Sequence, residues 1–163
     1  MTYDIIYTIG CFDHFHYGHK NILNKMKNMG KTLIVGVHDD TSLEKLKNLR
    51  KSDHQNIQKR MRNVKQIADH VYIIPDTDPT FYLKSMINFN QNSCYVRGND
   101  MPNFPGRKSI EGKIDIKFMN YTKGISSTDI RKKLSKPKKN YVSCIIIFVI
   151  IIYMLTKTQT NWK

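Results

Sequence analysis

His16 and His19 stand three apart across Gly18, directly after a run of apolar residues at 5–9 that ends in Gly10. On the first turn of a helix that spacing puts both imidazoles on one face, where their N–H groups can meet the same phosphate oxygens. A strand that turns through glycine into a helix also aims free backbone N–H groups and the positive end of the helix dipole at one point. Residues 10–19, Gly-Cys-Phe-Asp-His-Phe-His-Tyr-Gly-His, therefore read as a phosphate site, and Gly18 lets a nucleotide approach the backbone. Asp13 is expected to hold the turn through backbone N–H groups rather than act as a base, and His14 to face solvent or support the turn.

Two further clusters carry chemistry. Lys45 and Lys47 follow Asp39 and Asp40; on an extended segment alternate residues point the same way, so the pair can clasp phosphates. The run Gly124-Ile125-Ser126-Ser127-Thr128 combines a turn with hydroxyls and a helix start at Ser126 or Ser127, a second anion-binding arrangement.

The elements that must position these residues alternate. Strand patterns at 5–9, 32–37, 71–75, 94–97 and 114–118 are interleaved with helical patterns at 19–29, 57–68, 81–89 and 127–134, and 39–54 reads as a polar, lysine-rich stretch. Such alternation implies a Rossmann-like, doubly wound parallel sheet in a three-layer α/β/α fold, with ligands beyond the carboxyl ends of the strands. That is where the clusters fall.

The chain has 163 residues, 40% of them apolar, enough for one core, and a net charge of +14 that calls for a polyanionic partner. Three widely spaced cysteines, Cys11, Cys94 and Cys144, imply neither a disulfide framework nor a zinc site. With no leader pattern in its opening residues, a cytoplasmic catalytic domain over 1–135 is expected. The character changes at 136–163: a basic run precedes 15 apolar residues at 141–155, short of the ~20 that span a bilayer, so that 136–155 reads as a candidate tail anchor on an anionic membrane. Nucleic acid is not expected as a partner, because basic and stacking aromatic residues are not interleaved.

Three ordered segments resemble the cytidylyltransferases that make CDP-choline, CDP-ethanolamine and CDP-glycerol. Residues 10–23 resemble the signature GxFDxxHxGHxxxL; Arg97-Gly98-Asn99-Asp100 resembles a second motif usually ending Gly-Asp-Asp; and 124–130 resembles RTEGISTT. The resemblance implies transfer of a cytidylyl group from CTP to phosphocholine, phosphoethanolamine or glycerol 3-phosphate in phospholipid head-group synthesis. Pyrophosphate is released, Mg²⁺ arrives with the triphosphate rather than in a protein metal site, and the protein is a homodimer.

It also implies roles: His16, His19 and Lys47 in catalysis, and Gly10, Cys11, Phe12, Asp13, Gly18, Arg97, Gly98, Asp100, Tyr121, Thr122, Lys123, Gly124, Ile125, Ser126, Ser127 and Thr128 around the nucleotide. Lys45 and Lys84 would face the acceptor, and Arg60 resembles the arginine that opens the next helix. Phe81, Tyr82, Phe104 and Asp76 or Asp78 are candidates for a choline or ethanolamine pocket. One departure stands out: Tyr121 takes the place of the arginine of RTEGISTT, a lost charge for which Lys123, Arg97 or Arg107 would compensate. Residues 125–131 also resemble an ISSTxIR segment of NMN adenylyltransferases, so adenylyl transfer is the rival reaction. The rival outside catalysis is a basic membrane- or nucleic-acid-binding protein on a decayed transferase fold.

Overall fold

A computed structural model of the chain describes residues 2–135. The tail-anchor expectation for 136–155 lies outside them, and among the described residues no helix is long and apolar enough to cross a membrane. Five strands form one parallel sheet in the order β3-β2-β1-β4-β5. They are β1 (Tyr3–Gly10), β2 (Gly30–His38), β3 (His70–Ile74), β4 (Ser93–Gly98) and β5 (Asp115–Met119).

β1 is the centre, paired with β2 from Tyr3↔Gly30 to Gly10↔Val37 and with β4 at Ile5↔Ser93, Ile6↔Cys94 and Tyr7↔Tyr95. Because both faces of the middle strands are covered, their residues are apolar in continuous runs rather than in alternation. Ile6, Leu33, Val35, Cys94 and Val96 enter the core beneath α1 (Tyr17–Lys27) and α3 (Ile57–Val64). Tyr7, Ile9, Ile74 and Tyr95 enter a second core beneath α4 (Thr80–Met86) and α5 (Arg107–Ile110). Each fully buried aliphatic side chain contributes roughly 1.5–3 kcal/mol. The three layers are those the alternating pattern implies.

The strand order reverses at β1, whose chain leaves toward β2 while β4 closes its other side, so the carboxyl ends of β1 and β4 flank a crevice.

One expectation fails locally. Residues 39–54 are not an extended basic loop: α2 occupies Asp40–Lys47, followed by a short 3₁₀ turn at Lys51–Asp53. The Asp39 carboxylate caps α2 by accepting from the Ser42 N–H at 2.7 Å, and Asn48 ends it in the left-handed conformation. Leu43 anchors the helix in the interior. Two apolar residues among many charges were too faint a period to read.

Candidate active site

The turn after β1 is held in an unusual backbone shape. Phe12 and His14 both have positive φ, 51° and 43°, a region that side chains adopt at a cost of about 1 kcal/mol or more. Asp13 stabilises it from inside: 3% exposed, its carboxylate accepts from the Gln55 N–H at 2.9 Å and from Arg131 Nη1 at 2.7 Å. Its carbonyl accepts from Ser127 Oγ at 2.6 Å.

Arg60 braces the same region from below. Fully buried, it donates to the carbonyls of Gln55 (2.9 Å), Cys11 (2.8 Å) and His38 (2.7 Å) and to Asp40 Oδ1 (2.7 Å). One guanidinium thus joins the ends of β1 and β2 to α2 and α3. Four of its five N–H donors are thereby directed at the chain.

His16 is the N-cap of α1, and its Nδ1 accepts from the Gly18 N–H at 3.1 Å. An accepting Nδ1 carries no hydrogen, so in the neutral ring the proton sits on Nε2, free to donate outward. The His16 and His19 rings stack with centroids 3.9 Å apart, and Phe12 and Phe15 close the other sides of His19. Burial, then the neighbouring His16, lowers the His19 pKa to about 3, and burial with His14 lowers that of His16. The site therefore holds two neutral imidazoles in contact, and His19 Nδ1 is sealed with no partner among the described residues. Gly18 is needed here: a Cβ would lie 2.9 Å from the His16 ring and 3.3 Å from Ile125 Cγ2.

The third motif closes over this turn. Thr122 Oγ1 accepts from Asn21 Nδ2 of α1 at 2.9 Å. After Gly124, Ser126 caps α6 (Ser127–Leu134): its Oγ accepts from the Asp129 N–H at 3.1 Å and donates to Asp129 Oδ2 at 2.7 Å. Ser126 is thus the cap, and Ser127 is released to bind Asp13. Arg131, which the sequence presents only as part of a basic run, donates to both Asp13 and Thr128 Oγ1 (3.0 Å). Lys123 is exposed.

At the end of β4, Tyr121 lies against Gly98, where a Cβ would stand 2.5 Å from the phenol oxygen. The ring is largely exposed, but its hydroxyl end is enclosed. Desolvation, the Asp100 charge and a hydrogen bond to Asp100 raise its pKa to about 12, so it is neutral. Arg97 Nη2 donates to Met101 Sδ at 3.1 Å and the guanidinium covers the Phe104 ring at 5.1 Å. Arg107 is committed elsewhere, to Glu111 Oε1 (2.7 Å) and the Pro102 carbonyl (2.9 Å), and does not make good the missing charge.

Lys45 and Lys47 share a helix, so two positions turn them about 200° apart rather than to one side. Of the two lysines Lys47 is the one whose charge reaches the turn: burial raises the Cys11 pKa, and the Lys47 charge opposes that rise. Lys84 lines an open cavity of about 900 Å³ with Thr80, Asn103, Arg107 and Lys108, and no residue of the histidine turn or third motif lines it. Among the described residues no three ligating side chains gather to hold a metal.

A histidine pair on a helix start, clamped by a second helix start, matches a known family along nearly its whole described length: the cytidylyltransferase-like family model covers residues 7–133. The chain belongs to that family of nucleotidyltransferases. Within it, the chain is 32% identical over 129 residues to ethanolamine-phosphate cytidylyltransferase of Dictyostelium discoideum, covering 77% of this chain and 35% of that protein. It is 28% identical over 133 residues to bifunctional protein HldE of Campylobacter fetus, covering 80% of this chain and 28% of that one. The chain thus spans about a third or less of the curated relatives it matches. Solved structures share the cytidylyltransferase-like fold. A lipopolysaccharide core biosynthesis protein from Thermoplasma volcanium superposes with TM-score 0.58 at 16% identity, covering 74% of this chain and 98% of that one. A bifunctional NMN adenylyltransferase/ADP ribose pyrophosphatase from Francisella tularensis gives 0.54 at 22%, covering 81% and 42%.

Proposed function

We propose that the chain transfers a cytidylyl group from CTP to a phosphorylated small alcohol, with phosphoethanolamine or phosphocholine as the favoured acceptor and glycerol 3-phosphate third. The observation that carries the reading is the stacked, neutral His16–His19 pair at the start of α1. The ethanolamine-phosphate cytidylyltransferase relative supports the nucleotide and the kind of acceptor.

In such a transfer an acceptor phosphate oxygen attacks the α-phosphorus of CTP, the bond to the β-phosphate breaks, and pyrophosphate leaves with the electron pair. The nucleophile arrives as an anion, so no protein base is required. His16 Nε2–H and the His19 N–H would donate to phosphate oxygens as charge builds, stabilising the negative charge of the transition state. Lys47 adds positive charge, and the start of α6 receives the nucleotide's remaining phosphates. Asp100 is the residue that would lend a protein oxygen to Mg²⁺, and the ion, carried in by the phosphates, would neutralise triphosphate charge.

The test is pyrophosphate release by the full chain with CTP or ATP against each acceptor and nicotinamide mononucleotide. Release with CTP and a phosphorylated alcohol supports the reading. Release confined to ATP, or none from folded protein, replaces it with adenylyl transfer or with a decayed fold.

A further inference from the structure

On the sheet face covered by α4 and α5, a second polar cluster stands beyond the strand ends. His38 ends β2 and Arg97 is next to last in β4; by strand alternation they project to the same face as Ile34 and Tyr95. Asp76 follows β3.

His38 Nδ1 lies 2.7 Å from the Asp76 carbonyl oxygen. A carbonyl only accepts, so Nδ1 carries the hydrogen. Burial, and the Arg97 and Arg60 charges against the Asp76 bond, lower the ring's pKa and keep it neutral. Its Nε2 is therefore a bare lone pair, with no partner among the described residues, and it is not sealed from solvent. Arg97 in turn faces a thioether and an aromatic ring, and enters none of the ion pairs of the described residues. An anion-seeking guanidinium and a hydrogen-bond acceptor thus stand on either side of the β1 turn, with Asp76 and Asp78 in the loop that follows β3, the strand beside β2.

We propose that Arg97 seats the acceptor's phosphate and that His38 Nε2 accepts a hydrogen bond from the acceptor's own N–H or O–H, so that the chain selects phosphoethanolamine or glycerol 3-phosphate over phosphocholine. This rests on the cytidylyl-transfer reading and revises its order of acceptors, placing phosphocholine last. The aromatic groups point the same way. A quaternary ammonium needs open ring faces, but Phe104 is 3% exposed and already covered by Arg97, while Phe81, 71% exposed, meets only the edge of Tyr82. No cage is assembled among them.

The experiment measures kcat/KM with CTP for glycerol 3-phosphate, phosphoethanolamine, its mono- and dimethyl derivatives, and phosphocholine. Loss of the last N–H should cost about tenfold, the worth of one hydrogen bond left unmade, with the main step between the dimethyl compound and phosphocholine. In His38→Asn the amide nitrogen replaces Nδ1 against Asp76 and no group replaces Nε2, so the ratio of phosphoethanolamine to phosphocholine should fall to within about twofold. Equal use of the two, or preference for phosphocholine, overturns the proposal, as does an unchanged ratio in folded His38→Asn. The methyl series uses the unaltered chain and decides the matter even if the variant does not fold. Should CTP give no turnover with any acceptor, the transfer reading fails, and calorimetric binding of the same series still decides the seat.

Discussion

Arg131 Nη1 donates to Asp13 Oδ2 at 2.7 Å across a sequence separation of 118 residues. The last described helix thereby holds the turn that carries the histidines, and Asp13 is nearly inaccessible to water. Arg131→Ala leaves a buried carboxylate with one backbone donor, which costs about 2–4 kcal/mol. Urea midpoints should fall accordingly, and turnover should fall further than unfolding accounts for, because Ser127 and Thr128 lose their register against His16.

Replacing His16 with Asn separates capping from chemistry. The Asn oxygen can still accept from the Gly18 N–H, so stability should change by less than about 1 kcal/mol. The outward N–H disappears, and kcat should drop about 10²–10³-fold with CTP KM little altered. A fall in stability with normal kcat would show that the ring serves α1 alone.

His19 makes the fold acid-sensitive in a defined direction. Its pKa in the folded chain is about 3 against an ordinary 6.5. Between those values the unfolded chain binds a proton that the folded chain refuses, so stability falls as pH drops below 6.5 and is unaffected above it. His16 and His38 shift in the same direction. Denaturation midpoints at pH 7.5, 5.5 and 4.5 should decline in wild type and decline less in His19→Gln; parallel slopes would remove His19 from the account.

Arg60 should tolerate no substitute. Arg60→Leu strands three carbonyls and Asp40 without their donor, at about 1–3 kcal/mol for each orphan. That sum is comparable to the whole stability of a domain. Circular dichroism should show loss of cooperative unfolding in Arg60→Leu and in Arg60→Lys, whose single ammonium cannot reach four acceptors.

Gly98→Ala places a methyl 2.5 Å from the Tyr121 hydroxyl and should cost about 1–3 kcal/mol. In the Tyr121→Ser background the same change should cost under about 0.5 kcal/mol, giving a coupling energy that a double-mutant cycle reads. Equal costs in both backgrounds would mean that the phenol does not occupy the space above Gly98.

The sequence revealed this fold where patterns were strong. Apolar runs around Ile6, Leu33 and Val96 marked strands, and Ser126 or Ser127 marked a cap, of which the structure takes Ser126. What stayed hidden depended on distance. Nothing near Arg131 in the chain indicates Asp13, and nothing near Arg60 indicates Cys11 and His38, because a salt bridge or a buried guanidinium is created by topology. The Lys45–Lys47 pair misled for a different reason: charges filled α2 so densely that its period vanished, although Asp39 and Asn48 bracket it.

The clamp between Asp13 and Arg131 also orders events during synthesis. Within the described fold the histidine turn is synthesised well before its brace, which arrives only with α6, and one edge of β1 waits for β4. A nascent chain thus carries an open central strand edge from the synthesis of β1 until that of β4, the kind of exposed edge that invites association with other chains. The turn proposed to bind the nucleotide is the last part of the described fold to be completed.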